Sequence, residues 1–256
     1  MNTLHRLITL LFASALLVSC SQRSDPLQSQ TEQFFFLPLD GEITLANSGG
    51  SIHVYGWYEP RVRLVALRQA YTQRRLGQIR VETRAQPAAL AIRTLIPGAR
   101  GLFADRSGTV DYSLNVPEPS HLHLRLRDGE VTLSGLRGGS ADIRLTNGRV
   151  TAWNCFAQVR AHSVNGVLEV FFQWWENLPA AFDYTLEQGR IGALLPAEAR
   201  FQVEARTTNG RIHNDFHLST VDSGAGQQMS GATSPKPPLS LGLRTGGGNI
   251  NVDFAR

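Results

Sequence analysis

Few side chains in this sequence have the spacing that chemistry requires. The two cysteines, Cys20 and Cys155, and the scattered histidines form no metal-ligand spacing. His53 and His213 occupy equivalent positions in a repeating pattern, but so far apart in the chain that a joint site is not expected. There is no Gly-x-Ser-x-Gly elbow, no His-Glu-x-x-His helix and no phosphate loop. The run Gly246 to Gly248 precedes a strand pattern, so it lacks the helix N-terminus that a dinucleotide site uses. Asp105, Asp111 and Asp253 lie near turns or the C-terminus without forming the spaced carboxylate pair of a glycosidase. The expectation is therefore a protein that is not an enzyme and carries no cofactor and no metal.

What does recur is arginine and aromatic side chains, and a glycine repeat sets their spacing. Related strings surround Gly50 (S-G-G-S-I), Gly129 (R-D-G-E-V), Gly148 (T-N-G-R-V), Gly166 (V-N-G-V-L), Gly189 (E-Q-G-R-I), Gly210 (T-N-G-R-I) and Gly248 (G-G-G-N-I). From Gly129 onward the gaps are 19, 18, 23, 21 and 38 residues, a period of about 19. By the same period, Gly50 to Gly129 has room for about four copies, and Gly210 to Gly248 for about two. Asn-Gly and Asp-Gly pairs mark backbone positions of positive φ. Apolar residues alternate on both sides of each glycine, as in Leu122, Leu124, Leu126 and then Val131, Leu133. Each copy therefore reads as strand, tight glycine turn, strand. The fold expected is all-β: a repetitive β-solenoid, β-helix-like, with rungs of about 19 residues. A meander of hairpins folded into a sandwich is the competing architecture.

Fixing the inward phase sorts the remaining side chains into outward columns. Four residues before the glycine stand Arg125, Arg144, His162, Thr185, Arg206 and Arg244. Such arginines could meet a polyanionic glycan or phosphate. Asp142, Asp183 and Glu204, two positions earlier, could instead neutralise them. Five residues after the glycine stand Tyr55, Trp153, Phe171 and Leu194, and Trp174 and Trp175 follow soon after. Exposed aromatics at that spacing could stack on sugar rings or form a protein-binding strip; a covering segment would instead make them core. The candidate binding surface is thus Tyr55, Trp153, Phe171, Trp174, Trp175, Arg125, Arg144 and Arg206.

The glycine strings, with L-A-N-S-G-G-S-I-H-V-Y-G-W at 45–57, V-D-Y-S-L-N-V-P at 110–117 and N-I-N-V-D-F at 249–254, resemble the bacterial "putative adhesin" family of β-helix-like domains of unknown function. The resemblance spans most of 34–256 and implies an adhesin-like fold, with no catalytic residues to carry over. At the other end, Arg6 and the apolar run Leu7 to Val18 read as an export signal too short to span a bilayer. Leu17-Val18-Ser19-Cys20 resembles the lipobox of bacterial lipoproteins, which implies acylation of Cys20 by diacylglycerol and a further fatty acid such as palmitate. An ordinary secretory signal is the alternative. Ser21 after the cysteine, by resemblance to enteric sorting, favours the outer membrane.

The domain boundaries follow: signal peptide 1–19, a lipid-anchored flexible tether 20–33, and the solenoid 34–256 with a Ser/Gly/Pro-rich loop insertion at 219–238. The segments 34–39 and 249–254 are candidates for covering the two ends of the stack. With Cys20 acylated, Cys155 is left without a disulfide partner and is expected to be a buried small hydrophobe. A formal charge of +4 is too modest for a nucleic-acid protein, and export argues against one as well. The functional expectation is a non-catalytic lipoprotein of the cell envelope. Its solenoid would bind or scaffold, with the membrane as one partner and a glycan or envelope protein as another. Alternatives are a structural or envelope-stress accessory protein, and a glycan-active enzyme on a β-helix scaffold.

Overall fold

The structure, a computed structural model, describes residues 25–98 and 105–255. The signal peptide, Cys20 and the start of the tether lie outside the described residues. What is described is nearly all β, in one large open sheet of sixteen strands. In chain order these are β1 (Leu27–Phe36), β2 (Glu42–Trp57), β3 (Arg61–Ala70), the short helix α1 (Gln73–Gln78), β4 (Arg80–Gln86), β5 (Ala89–Leu95), β6 (Thr109–Pro117), β7 (His121–Ser134), β8 (Arg137–Trp153), β9 (Phe156–Phe171), β10 (Ala180–Leu195), β11 (Phe201–Asn209), β12 (Ile212–Asn214), β13 (Thr220–Ser223), β14 (Gly226–Ala232), β15 (Leu239–Gly247) and β16 (Ile250–Phe254).

The long strands β2, β7, β8, β9 and β10 lie side by side, all parallel, with glycine against glycine: Gly50 by Gly129, Gly129 by Gly148, Gly148 by Gly166, Gly166 by Gly189. Parallel neighbours exclude a hairpin meander for this part of the chain. The repeat glycines do have positive φ, between 113° and 155°, but they do not close hairpin turns. From Gly50 to Gly189 each is a bend inside one continuous strand, while Gly210 and Gly248 stand in the short breaks between β11 and β12 and between β15 and β16. The reason is parity. In β7 the buried residues are Leu122, Leu124 and Leu126 before Gly129, and Val131 and Leu133 after it. The step from 126 to 131 is odd, so a straight strand would put the two sets on opposite faces. Bending at the glycine turns both arms toward one core. Within that core, side chains five residues before the glycine form a continuous column: Leu45, Leu124, Ile143, Ala161, Tyr184, Leu243 and Ala205, none more than 3% exposed. Small Ala161 sits beside bulky Tyr184, the volume compensation that close packing requires.

Register corrects both rung estimates. No copies intervene between Gly50 and Gly129, because those glycines are direct neighbours. The intervening chain instead extends the stack on the other side of β2 in two branches, β5 and β6 running parallel to β2 and antiparallel strands following beyond them. β6, β3 and β1 extend the post-glycine arm of β2, with β3 antiparallel to both of its neighbours. β5 and the antiparallel β4 extend the other arm. At the far end, the last copy enters between two earlier ones: β15 pairs with β10 and β11, and β16 with β10 and β12. The spatial order of glycines is thus 189, 248, 210. Periodicity fixes the phase of a strand but says nothing about which strand stands next to it.

The domain boundaries also shift. Tether residues 27–33 belong to β1, an edge strand whose backbone pairs with β3 along its full length. Its side chains are mostly exposed, so no apolar pattern announced it. Backbone pairing is reinforced by Arg68 donating to Ser29 Oγ at 2.8 Å and Arg63 to Glu32 at 2.6 Å. The segment 219–238 is not a plain loop: β13 and β14 form a hairpin added to the edge of β11. Of the proposed end covers, Phe35 packs against the core while Phe34 and Phe36 stay exposed. The C-terminal strand β16 is internal and covers no end.

Candidate functional site

The outward columns stand where the phase argument put them, but on two different arms. Before the bend, the arginine column runs Arg125, Arg144, His162, Thr185, Arg244, Arg206 in space. His162 and Thr185 split it, so Arg206 keeps company with Arg244 rather than with Arg144. Arg244 lies 2.5 Å from Asp183 and Arg144 3.7 Å from Asp142. Arg125 and Arg206 form no ion pair among the described residues. After the bend, Glu169 sits between Arg149 and Arg190, 2.9 Å from each. That patch is self-paired and spends its charge internally.

The aromatic column lies on the post-glycine arm: Tyr55, Ser134, Trp153, Phe171, Leu194 and Asp253. Ser134 separates Tyr55 from the rest. Trp153 and Phe171 pack with ring centroids 3.9 Å apart, leaving Trp153 40% exposed. Trp174 is exposed, and its indole donates to Glu176 at 3.2 Å. Trp175 is a correction: its ring packs edge-on against buried Phe172, so it serves the core instead of a binding surface. Arg137 holds this loop with two bonds to Glu176, at 2.6 and 2.7 Å, and lies over the Phe156 ring. Glu118, packed against the same guanidinium, has its carboxyl pushed up by burial. Cys155 is buried and its thiol is pushed up to about 12 by desolvation, so it is not a reactive thiolate. The arginines and the aromatics are not brought together.

A concave feature escaped the sequence reading. On the outward face before the bend, β9, β10, β15 and β11 lie side by side and form a groove of about 590 Å³. Its walls carry Gln158, Arg160, Asp183, Gln202, Glu204 and Ser240, with Ser230 and Gly231 of β14 contributing as well. Gly242 stands in register between Asp183 and Glu204 and leaves a notch between the two carboxylates. The only prior signal was that Gly242 interrupts a charged column. That interruption points to a groove only with β15 placed between β10 and β11, an order that local sequence does not specify.

The candidate carboxylates also find places. Asp111 accepts from Ser51 N, Ser51 Oγ and Gln69, and Asp105 from Thr72 and Ser107; both are held as structural acceptors. Asp253 comes together with His213 and Asp215, their ligand atoms within 4.8 Å of one another. His53 is at the opposite end of the stack. No helix among the described residues is long and apolar enough to cross a membrane.

No family model matches the sequence, and no curated protein matches it. Among solved structures, the chain is similar to a "putative cell adhesion protein" from Clostridium sporogenes, at 12% identity and TM-score 0.47, covering 89% of this chain and 100% of that one. It is also similar to a "putative adhesin" from Bacteroides fragilis, at 11% identity and TM-score 0.32, covering 89% and 97%. A "putative lipid binding protein" from Parabacteroides distasonis is similar at 7% identity and TM-score 0.24, covering 89% and 97%. None of these similarities assigns a site to this chain.

Proposed function

We propose that this chain is a non-catalytic binding module of the bacterial cell envelope, anchored through acylated Cys20 at the outer membrane. In this reading the parallel stack is a β-solenoid with rungs of about 19 residues, and its outward face holds an extended glycan in the manner of an adhesin. The groove over β9, β10, β15 and β11 is the observation that carries it. Each of the four adjacent strands, about 4.8 Å apart, contributes at least one hydrogen-bonding side chain, in two rows interrupted by Ala181 and Gly242, a spacing suited to successive units of an extended polymer. Arg160 in that groove has no ion pair among the described residues, so its charge is available to an acidic sugar.

The test is retention of the full chain on arrays of envelope glycans. Replacing Arg160, Gln158 or Gln202 with alanine is expected to abolish retention without changing the far-ultraviolet circular dichroism. If the groove variants bind normally while Trp153→Ala or Phe171→Ala does not, the aromatic column is the surface. No retention of the intact chain on any array would sink the adhesive reading. Labelled palmitate incorporation, lost in Cys20→Ala, tests the anchor separately.

One observation favours an accessory role with a protein partner. Phe34 and Phe36, 54% and 71% exposed, stand on the open edge strand β1, with Arg61 over the Phe34 ring. Co-purification of the acylated chain from its own envelope would identify such a partner.

A further inference from the structure

We propose that His213, Asp215 and Asp253 bind a divalent transition cation of the zinc class. Strand periodicity builds the site. His213 and Asp215 are two residues apart, so both point to one face. The parallel pairing of β12 with β16 sets His213 beside Asn251 and Asn214 beside Val252. Asp215 N donates to Val252 O at 3.0 Å, which carries the pairing one residue further and places Asp253 alongside.

The distances fit a small ion. His213 Nε2 lies 3.3 Å from Asp215 Oδ1 and 3.8 Å from Asp253 Oδ1. Ligands about 2.0–2.2 Å from a tetrahedral zinc ion stand about 3.3–3.6 Å from one another. The outer oxygens are already held: Phe254 N donates to Asp215 Oδ2 at 3.0 Å, and Asn251 Nδ2 to Asp253 Oδ2 at 3.4 Å. Protein donors that orient ligating carboxylates in this way are a regular feature of metal sites.

A second observation points the same way. Asp253 Oδ1 is shielded from solvent and accepts no hydrogen bond. A carboxylate oxygen without a donor is costly to bury, and a cation between it and the imidazole removes that cost. One imidazole with two carboxylates suits zinc, manganese or cobalt; calcium and magnesium prefer all-oxygen sets. His213 is 67% exposed along its side chain, so a fourth coordination position faces solvent and is open to water or an anionic group.

The measurement is calorimetric titration of zinc chloride into the untagged full chain in detergent, after chelator treatment. One ion per chain is expected, with an increase in thermal midpoint that magnesium and calcium do not reproduce. His213→Ala and Asp253→Asn should each weaken binding at least tenfold while leaving the zinc-free circular dichroism unchanged. Cobalt substitution gives a second readout: intense visible absorption from a tetrahedral site, lost in both variants. No zinc binding, or binding unchanged by both substitutions, would overturn the proposal and leave three side chains that merely pair with one another.

Discussion

Gly148 has no room for a side chain. A Cβ there would lie 1.8 Å from the carbonyl oxygen of Gly129, and φ of 140° is itself unfavourable for an L residue. Gly148→Ala should cost about 3 kcal/mol or more, from strain plus overpacking, read as a fall in the urea midpoint. Gly77, in α1, meets nothing within 4 Å, so Gly77→Ala should be neutral or stabilise by up to about 1 kcal/mol. Next to the repeat glycines Gly129, Gly148 and Gly166 an amide ladder runs outward: Asn165 donates to Asn147 at 3.0 Å, and Asn147 to Asp128 at 2.8 Å. Chiefly through Asn147, and then Arg127, the carboxyl of Asp128 is held below its usual range. The stabilisation this brings is present above the ordinary aspartate range and lost as pH falls through the lowered folded value. Asn147→Ala should return the Asp128 midpoint toward ordinary, measured by NMR titration; an unmoved midpoint would mean that Asn147 is not the cause. The sequence marked these glycines and their positive φ correctly. It misread the local shape, because Asn-Gly in an alternating context signals a hairpin as readily as a bend. Only the parity of the flanking apolar residues separates the two.

Among whole elements, burial and neighbours decide what can be lost. β1 is an edge strand with almost no buried side chain, whereas β15 and β16 are flanked on both sides. A chain starting at Leu37 should therefore stay folded, with a thermal midpoint lowered by only a few degrees. One ending before Leu239 should lose the fold, because buried Leu239, Leu241, Leu243, Ile250 and Val252 leave the core and β10 parts from β11. Comparable midpoints for the two truncations would contradict this spatial order. Distance from a terminus is thus a poor guide to dispensability here. Strand positions were legible because alternation needs only local sequence. Their order in space was not, since every copy presents the same inward phase and can stack on any other. The groove escaped for that reason, as did the meeting of His213 with Asp253.

On the scale of the whole molecule, an open sheet leaves edges, and an exposed edge invites another strand. The stack ends in several edge strands, of which β4 and β1 contrast most. β4 carries Arg80, Glu82 and Arg84 on alternate residues, charges that oppose flat pairing with a neutral partner. β1 carries only Glu32 as a charged residue, already paired with Arg63, and ends in three phenylalanines. Charge therefore protects β4 but not β1, and β1 is where self-association should begin once the chain is concentrated. Phe34 and Phe36 sit on the same side of the strand by its two-residue period, so together they make a continuous apolar strip. Replacing both with lysine should suppress association in sedimentation velocity and leave the thermal midpoint within a few degrees, since neither side chain is buried. Association unchanged by the double substitution would place the contact elsewhere. In a chain anchored at Cys20, β1 begins within a few residues of the membrane attachment. Neighbouring copies would then be concentrated in two dimensions, where a weak edge contact is amplified by effective concentration.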